Sequence, residues 1–422
     1  MPTLSTILAA TSAAIWLYLA FFRGQFWRLN SFDDDHQKLT LPQTLPTVHA
    51  IIPARNEAPT IAATVTSLLH QNYPGKFSIT VVDDHSQDHT AEIATQAAFS
   101  STGTLAGPEE RRACAPSSAT FGQSTAAADI LASAPAPKFS TVSASPLQPG
   151  WTGKLWALNQ AVTQSPESPT PPDYFWFTDA DITHAPDTLQ RLVSRAEKNN
   201  LALTSLMVEL KSETYAEKFL IPPFLYFFLQ LYPPNWITNP KSRTAGAAGG
   251  CILIRAESLK KIGGLSAIRR AVIDDCALAT AVKRSGGQLW MGITRQSHSL
   301  RNYATLAEIR DMIARTAFTQ LNYSTPILLA TLAALFITYI APIAFLFVPN
   351  PAARPLSAVA TFLMLATFFP TTRFYRQSPF WILTLPAAAL FYAYATTLSA
   401  IRYWLGRGAQ WKGRSQAPTQ TS

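Results

Sequence analysis

The uncharged run from Leu4 to Phe22 (LSTILAATSAAIWLYLAFF) constrains this chain more than any other feature, because a helix of that length nearly crosses a hydrocarbon core of about 30 Å. No Lys or Arg precedes it, whereas Arg23 and Arg28 follow closely. That asymmetry predicts a retained anchor over residues 1–23, with the following chain in the cytoplasm, rather than a cleaved signal peptide. A second apolar concentration lies at the other end, in Thr325–Val348, Leu356–Phe369 and Phe380–Ile401. It predicts a membrane region over residues 323–403 with two or three spans, a basic tail over 404–422, and residence in the inner (cytoplasmic) membrane. Positive-inside logic wants both Arg373/Arg376 and the tail with Arg402, Arg407, Lys412 and Arg414 in the cytoplasm, which three simple crossings do not allow. The middle segment is therefore a candidate re-entrant element. Phe219–Tyr232 is also very apolar, but it is short and holds two prolines, so an interfacial or re-entrant helix over 219–234 is expected.

Between these ends the chain reads as soluble. Charged residues are 14% and apolar residues 48% of the whole, and the net charge of +9 comes from Lys and Arg that are dispersed or flank apolar runs. No basic stripe is interleaved with aromatics, so the charge is read as membrane-facing and a nucleic-acid partner is not expected. The three cysteines form no CxxC pair and imply a reducing compartment. After a linker over residues 24–47, Val48–Ala54 and Ser78–Val82 are short β-branched runs separated by Ala58–His70, whose apolar spacing is helical. Strand, helix, strand predicts an α/β nucleotide-binding layer. Residues 98–139, rich in Ala, Ser, Thr, Gly and Pro, are expected to be a disordered insertion. Order is expected again at Trp151–Val162 and in the aromatic strand Tyr174–Phe177.

Four clusters at expected strand ends carry the chemistry. Pro53, Arg55, Asn56 and Glu57 follow the first strand and Asp83-Asp84-His85-Ser86 the second, where an open α/β sheet gathers its ligands; alternatively Asp83 or Asp84 caps the next helix. Asp179-Ala180-Asp181 follows the third. Alternate residues of an extended segment share a side, so Asp179 and Asp181 can face one Mg²⁺ or Mn²⁺ together with a diphosphate; an Asx-turn is the plainer reading. Asp274-Asp275 comes after Gly246–Gly250, where Gly249 and Gly250 let backbone approach a ligand or simply form a turn. Asp275 is the candidate general base for an acceptor hydroxyl, with Asp274 in support. Arg315 either meets a leaving pyrophosphate or anchors lipid headgroups.

With these residues in order, the chain resembles family-2 glycosyltransferases of the GT-A fold. It is most similar to the hopene-associated glycosyltransferases of bacteria, akin to the ceramide glucosyltransferase group. The likeness covers nearly the whole chain outside the insertion, and Gly150–Ala157 and Ala314–Leu321 are its more specific parts. The resemblance implies a GT-A-type mixed, mostly parallel sheet flanked by helices over residues 48–322, with N- and C-terminal transmembrane helices. It implies Asp84 and Glu57 at a uridine, Lys154 in the donor region, Asp181 at the metal and Asp275 as base. The expected activity is inverting transfer from a nucleotide-sugar donor to a lipid acceptor. Two departures stand out: the usual Glu-Asp base motif is Asp-Asp here, and the Gln-x-x-Arg-Trp segment of many relatives is replaced by Arg315–Gln320, which weakens a polymer-synthesis reading.

A Rossmann dehydrogenase needs Gly-x-Gly-x-x-Gly after the first strand and a phosphate-loop enzyme needs Gly-x-x-x-x-Gly-Lys; neither occurs. A nucleotidyltransferase usually brings an early basic glycine-rich loop, where this chain has PARNE. A processive polysaccharide synthase and a non-catalytic lipid-binding or transport protein remain as alternatives.

Overall fold

The computed structural model describes residues 3–29, 41–103, 136–163, 171–407, 410–411 and 414–415. Two compact units emerge: one is Ser31–Glu209 with Gly246–Arg301, and the other is Met1–Asn30 with Leu210–Ala245 and Asn302–Ser422. The stretches 210–245 and 302–322 thus belong with the terminal helices, although linear order places them inside the expected 48–322 domain.

The first unit is built on an eight-stranded mixed sheet. Its strands are β1 (Val48–Ala54), β2 (Phe77–Asp83), β3 (Lys138–Ser143), β4 (Tyr174–Phe177), β5 (Ile182–His184), β6 (Leu203–Glu209), β7 (Ile252–Arg255) and β8 (Leu289–Ser299). The order is β3-β2-β1-β4-β7-β6-β8-β5. β1, β2, β3 and β4 run parallel, as do β6 and β8, while β7 is antiparallel to both of its neighbours and β5 to β8. β1 is buried at all seven positions, the signature of a central strand covered on both faces. Burying Ile51 or Ile52 there contributes about 1.5–3 kcal/mol each. On the flanking helix Ile61–Leu69, Ile61, Val65 and Leu68 form the buried stripe.

Register decides where the site forms. Ala54 of β1 is level with Asp83 of β2, and Ile51 with Phe177 of β4, so three strands end along one edge. β7 runs the other way, with Ile252 level with Phe177, which brings the glycines that precede it to the same edge.

The insertion is shorter than expected at both ends. The helix Thr90–Gly103 continues past Phe99, and β3 begins at Lys138 because Phe139, Thr141 and their neighbours pair with β2. Residues 104–135 lie outside the described residues, as do most of the tail and part of the linker.

In the second unit, four helical stretches among the described residues are long and apolar enough to cross a membrane: Leu4–Phe22, Thr325–Leu346, Ala353–Phe374 and Pro379–Trp404. The middle C-terminal segment is longer than its apolar core suggests, since the helix runs on through Pro370 to Phe374. The helix Tyr215–Leu231 carries Pro222 and Pro223 within it. It starts with a capping box, Thr214 accepting from the Glu217 N–H while Glu217 accepts from the Thr214 N–H.

Candidate active site

The loops after β1 and β2 are laced together by side chains. The Asn56 N–H donates to Ser86 Oγ (3.0 Å), and Asn56 Oδ1 accepts from the Gln87 N–H (2.9 Å). Asn56 sits at φ +53°, a left-handed conformation that asparagine tolerates better than most residues. The Glu57 N–H donates to Thr90 Oγ1 at 2.9 Å. Arg55 donates to the Asp84 carbonyl, and its guanidinium lies 3.7 Å from Asp84 Oδ2. Asp83 and Asp84 are both buried, and Asp83 Oδ2 accepts from the Ser86 N–H (3.2 Å). Asp84 is thus engaged with Arg55 inside the loop pair.

Asp179-Ala180-Asp181 follows β4 directly. The helix Ile61–Leu69 fastens this turn from one side, where Thr64 Oγ1 donates to the Ala180 carbonyl (2.9 Å) and Ser67 Oγ accepts from the His184 N–H (3.2 Å). On the other side the Leu300 N–H donates to the Asp181 carbonyl at 2.7 Å. Burial, with the charges of Asp179 and Glu57, pushes the Asp181 carboxyl up to about 6, while Arg301 acts in the opposite sense.

Lys154, from the helix Gly153–Thr163, joins the third and fourth clusters. Its Nζ is 2.8 Å from Asp179 Oδ1 and 3.3 Å from Asp274 Oδ2. Burial alone would lower the ammonium's pKa, but Asp179, Asp274 and Asp275 reverse this and hold it above its ordinary value. Asp274 and Asp275 open the helix Asp274–Arg284, where negative charge suits the helix dipole. Asp275 Oδ2 accepts from the Gly249 N–H (2.9 Å) and its Oδ1 from the Cys276 N–H (2.7 Å). Burial, then the neighbouring Asp274 charge, pushes the Asp275 carboxyl up to about 6, with Lys154 and the two N–H groups offsetting part of the shift.

Gly249 has a steric reason to be glycine. A Cβ there would come within 3.2 Å of Lys154 Nζ and 3.4 Å of Asp275 Oδ2. Pro53, Lys154, Asp179, Gly249, Asp274 and Asp275 line one pocket. Gly250 lies beside it, where an added Cβ would press on Val208 and Ile182.

A buried hydrogen-bond chain links the two halves of the site. Thr178 Oγ1 donates to the Gly250 carbonyl (3.0 Å), so it accepts from His184 Nε2–H (2.9 Å), and His184 Nδ1 accepts from Ser297 Oγ (2.9 Å). Burial, and then the neighbouring His298, push the imidazole down to about 3, which keeps it neutral. Thr178 precedes Asp179 and Gly250 follows Gly249, so this chain holds one carboxylate's turn at a set distance from the loop that anchors the other.

No sequence motif singles out His184, Thr178, Ser297 or Arg301. His184 and Ser297 meet through the pairing of β5 with β8, more than a hundred residues apart in sequence, while Thr178 and Arg301 lie just past the ends of β4 and β8. Arg315, expected either at the leaving pyrophosphate or as a lipid-headgroup anchor, belongs to the other unit and is exposed beyond the end of the helix Leu306–Ala314.

Whether these residues suit a divalent cation depends on their donors. Asp179 and Asp181 offer oxygen only, the set that Mg²⁺ and Mn²⁺ prefer, in a place where negative charge is crowded enough to raise Asp181. Among the described residues no group of three or more His, Cys, Asp or Glu side chains could hold an ion. Two carboxylates fit a cation that takes its remaining ligands from substrate phosphates and water.

The profile described as Glycosyl transferase family 2 matches residues 49–104, and that described as Glycosyl transferase family 21 matches residues 143–416, well over half of the chain. Glycosyltransferase AglE of Haloferax volcanii is 46% identical over 57 residues, 13% of this chain and 19% of that protein. The match therefore spans about a fifth of that curated relative's length. Among solved structures, the mannosyltransferase PcManGT from Pyrobaculum calidifontis, in complex with GDP-Man and Mn²⁺, is 17% identical with a TM-score of 0.49, over 93% of this chain and 99% of that one. Glucosyl-3-phosphoglycerate synthase from Mycobacterium tuberculosis, in complex with Mg²⁺ and uridine-diphosphate, is 17% identical with a TM-score of 0.37, over 65% of this chain and 79% of that one.

Proposed function

The chain belongs to glycosyl transferase family 21, and on that premise we propose that it moves a sugar from a nucleotide-diphosphate donor, UDP-linked, to the hydroxyl of a lipid, with inversion at the anomeric carbon. The observation that carries this reading is the placement of Lys154 between Asp179 and Asp274, with Asp275 lining the same pocket.

In this reading the loops around Arg55, Asn56, Glu57, Asp83 and Asp84 receive the nucleoside. Asp181 and Asp179 would hold Mg²⁺ or Mn²⁺, which when bound offsets the charge of the departing diphosphate. Lys154 supplies a further positive charge beside that group and bridges the Asp179 and Asp274 carboxylates. Asp275 acts as base. Each of its oxygens already accepts one backbone N–H and keeps a lone pair for the acceptor proton. As the acceptor oxygen bonds to the anomeric carbon, its proton passes to Asp275 and the bond from that carbon to the diphosphate oxygen breaks. A base on the face opposite the leaving group yields inversion.

Apolar elements on both sides of the catalytic residues in sequence support a lipid acceptor, hopanoid- or sphingolipid-like, reached at the inner face of the cytoplasmic membrane. The test is incubation of the purified protein with radiolabelled UDP-glucose or GDP-mannose and a lipid extract of its host. A lipid product one hexose heavier is expected; a long polymer would instead mark a processive synthase, and no transfer would mark a non-catalytic protein.

A further inference from the structure

Within the helical unit, hydrogen bonds reveal which helix ends lie together. Asn350 Nδ2 donates to Thr3 Oγ1 (2.6 Å), Ser5 Oγ (3.0 Å) and Thr6 Oγ1 (2.9 Å), which sets the loop after Thr325–Leu346 against the start of Leu4–Phe22. Further along, Trp16 Nε1 donates to the Thr338 carbonyl (2.7 Å), and its ring meets Tyr339 edge-on at 5.5 Å. The two helices are therefore antiparallel, and Thr325 lies at the end where Phe22 lies. Ala353–Phe374 starts just after Asn350 and runs back the same way. Near its far end Thr367 shares a hydrogen bond with Tyr226 (2.8 Å), whose ring also packs on Phe368 and on Phe26, just past Phe22.

The last apolar helix departs from this pattern. It begins after Gln377, whose side-chain amide donates to Ser212 Oγ (2.9 Å) and to the Lys218 carbonyl (3.2 Å), on the end reached by Phe374. It finishes beside the start of Thr325–Leu346. There Ala400 packs with Leu328 and Phe318, Tyr403 stacks on Tyr323 at 4.5 Å, and Arg402 donates to Asp311 (2.7 Å). A segment with both ends at the same end of a bundle does not traverse it, although its 26 residues and mean hydropathy of 1.4 would admit a crossing.

We propose that the chain crosses the bilayer three times and that Pro379–Trp404 lies against the membrane face as a lipid-binding helix, at the end of the bundle that holds Arg23 and Thr325. Its exposed side chains, Phe380, Leu383, Leu390, Tyr394, Ile401 and Trp404, are those of an interfacial helix. Leu329 and Phe336 of the span Thr325–Leu346 are exposed as well. Exposed Arg373 and Arg376 precede the helix and exposed Arg407 follows it, so the partner surface is the boundary between anionic headgroups and acyl chains. This arrangement puts Arg23, Arg28, Arg373, Arg376, Arg402 and Arg407 on one side, as the positive-inside rule asks, and removes the conflict met when three C-terminal crossings are counted.

The test uses the full-length protein in a Cys114→Ser background, carrying Ala352→Cys, Ser378→Cys or Leu405→Cys singly, and needs no enzymatic activity. All three positions are exposed. An impermeant maleimide applied to sealed vesicles of each orientation should label Ser378→Cys and Leu405→Cys in one orientation and Ala352→Cys in the other. Leu405→Cys labelling together with Ala352→Cys would overturn the proposal, as would Ser378→Cys labelling with Ala352→Cys. Should these variants misassemble, nitroxide labels at Leu383, Leu390 and Ile401, in nanodiscs with anionic lipid, read depth directly. A similar shallow depth for all three is expected, whereas a graded series with one label near the bilayer centre would mean a fourth span.

Discussion

Lys154 Nζ lies 2.8 Å from Asp179 Oδ1, joining a helix that begins at Gly153 to the turn that ends β4. The same ammonium reaches Asp274 at 3.3 Å, so the carboxylates expected on the leaving-group side and on the base side share one cation. In the proposed reaction that cation is positioned to move its charge toward a diphosphate as the donor enters.

Asp275→Asn keeps size but removes proton-accepting capacity, and its amide nitrogen no longer accepts from one of the two backbone N–H groups that the carboxylate receives. Turnover should fall by about a hundredfold or more with nucleotide affinity nearly unchanged. Asp274→Asn should cost less, because it weakens the hold on Lys154 and leaves the base in place. Steady-state kinetics with a parallel nucleotide-binding titration checks both.

The raised Asp275 carboxyl gives the reaction a pH limb. The base works only when ionised, and its pKa is pushed up to about 6 by burial and by Asp274. The kcat/KM value should be flat above that pH and fall about tenfold per unit below it. A profile that stays flat to pH 4.5 would exclude Asp275 as the base. The same shift has a stability consequence of opposite sense. The folded state binds this proton more tightly than the unfolded chain, so this group favours folding more as pH falls from 7 toward 4.

Gly249→Ala places a methyl group 3.2 Å from Lys154 Nζ and 3.4 Å from Asp275 Oδ2. Lys154 has a flexible stem and can give way, so the fold should survive with a melting temperature within a few degrees of wild type. Activity should drop by roughly tenfold or more, because small displacements of reacting groups are costly. Wild-type turnover in this variant would show that the close approach is unimportant.

Much of this site was legible because ligands gather at the carboxyl ends of strands, and the polar clusters after Ala54, Asp83 and Phe177 stand where short apolar runs stop. The pairing of Gly249 with Asp275 was not legible, since it depends on β7 running antiparallel to β4. Nor was Arg301, which reaches Asp181 only through the β5–β8 pairing. The helix Tyr215–Leu231 reads as apolar and proline-broken, yet its place among the terminal helices depends on contacts such as Tyr226 with Thr367. A local pattern shows that a face is apolar without naming what covers it.

His184 should act through Thr178 and not as an acid or base. His184→Gln retains a donor near the Nε2 position, whereas His184→Asn can reach only toward Ser297. If the chain to Gly250 positions the two loops, the asparagine variant should lose roughly tenfold more turnover than the glutamine variant at similar melting temperatures. Equal activities, or losses that simply follow thermal stability, would make the histidine structural only.

In the proposed mechanism Asp275 and the Asp179-Ala180-Asp181 turn serve one transfer reaction. The direct measurement is sugar transfer from radiolabelled UDP-glucose or GDP-mannose to host lipid by wild type, Asp181→Ala and Asp275→Asn, each with Mn²⁺ and with excess chelator. The prediction is a lipid-linked hexose of inverted configuration, formed by wild type only with the cation and nearly absent in both variants. Full turnover in chelator, a retained configuration, or undiminished transfer by Asp275→Asn would contradict the account.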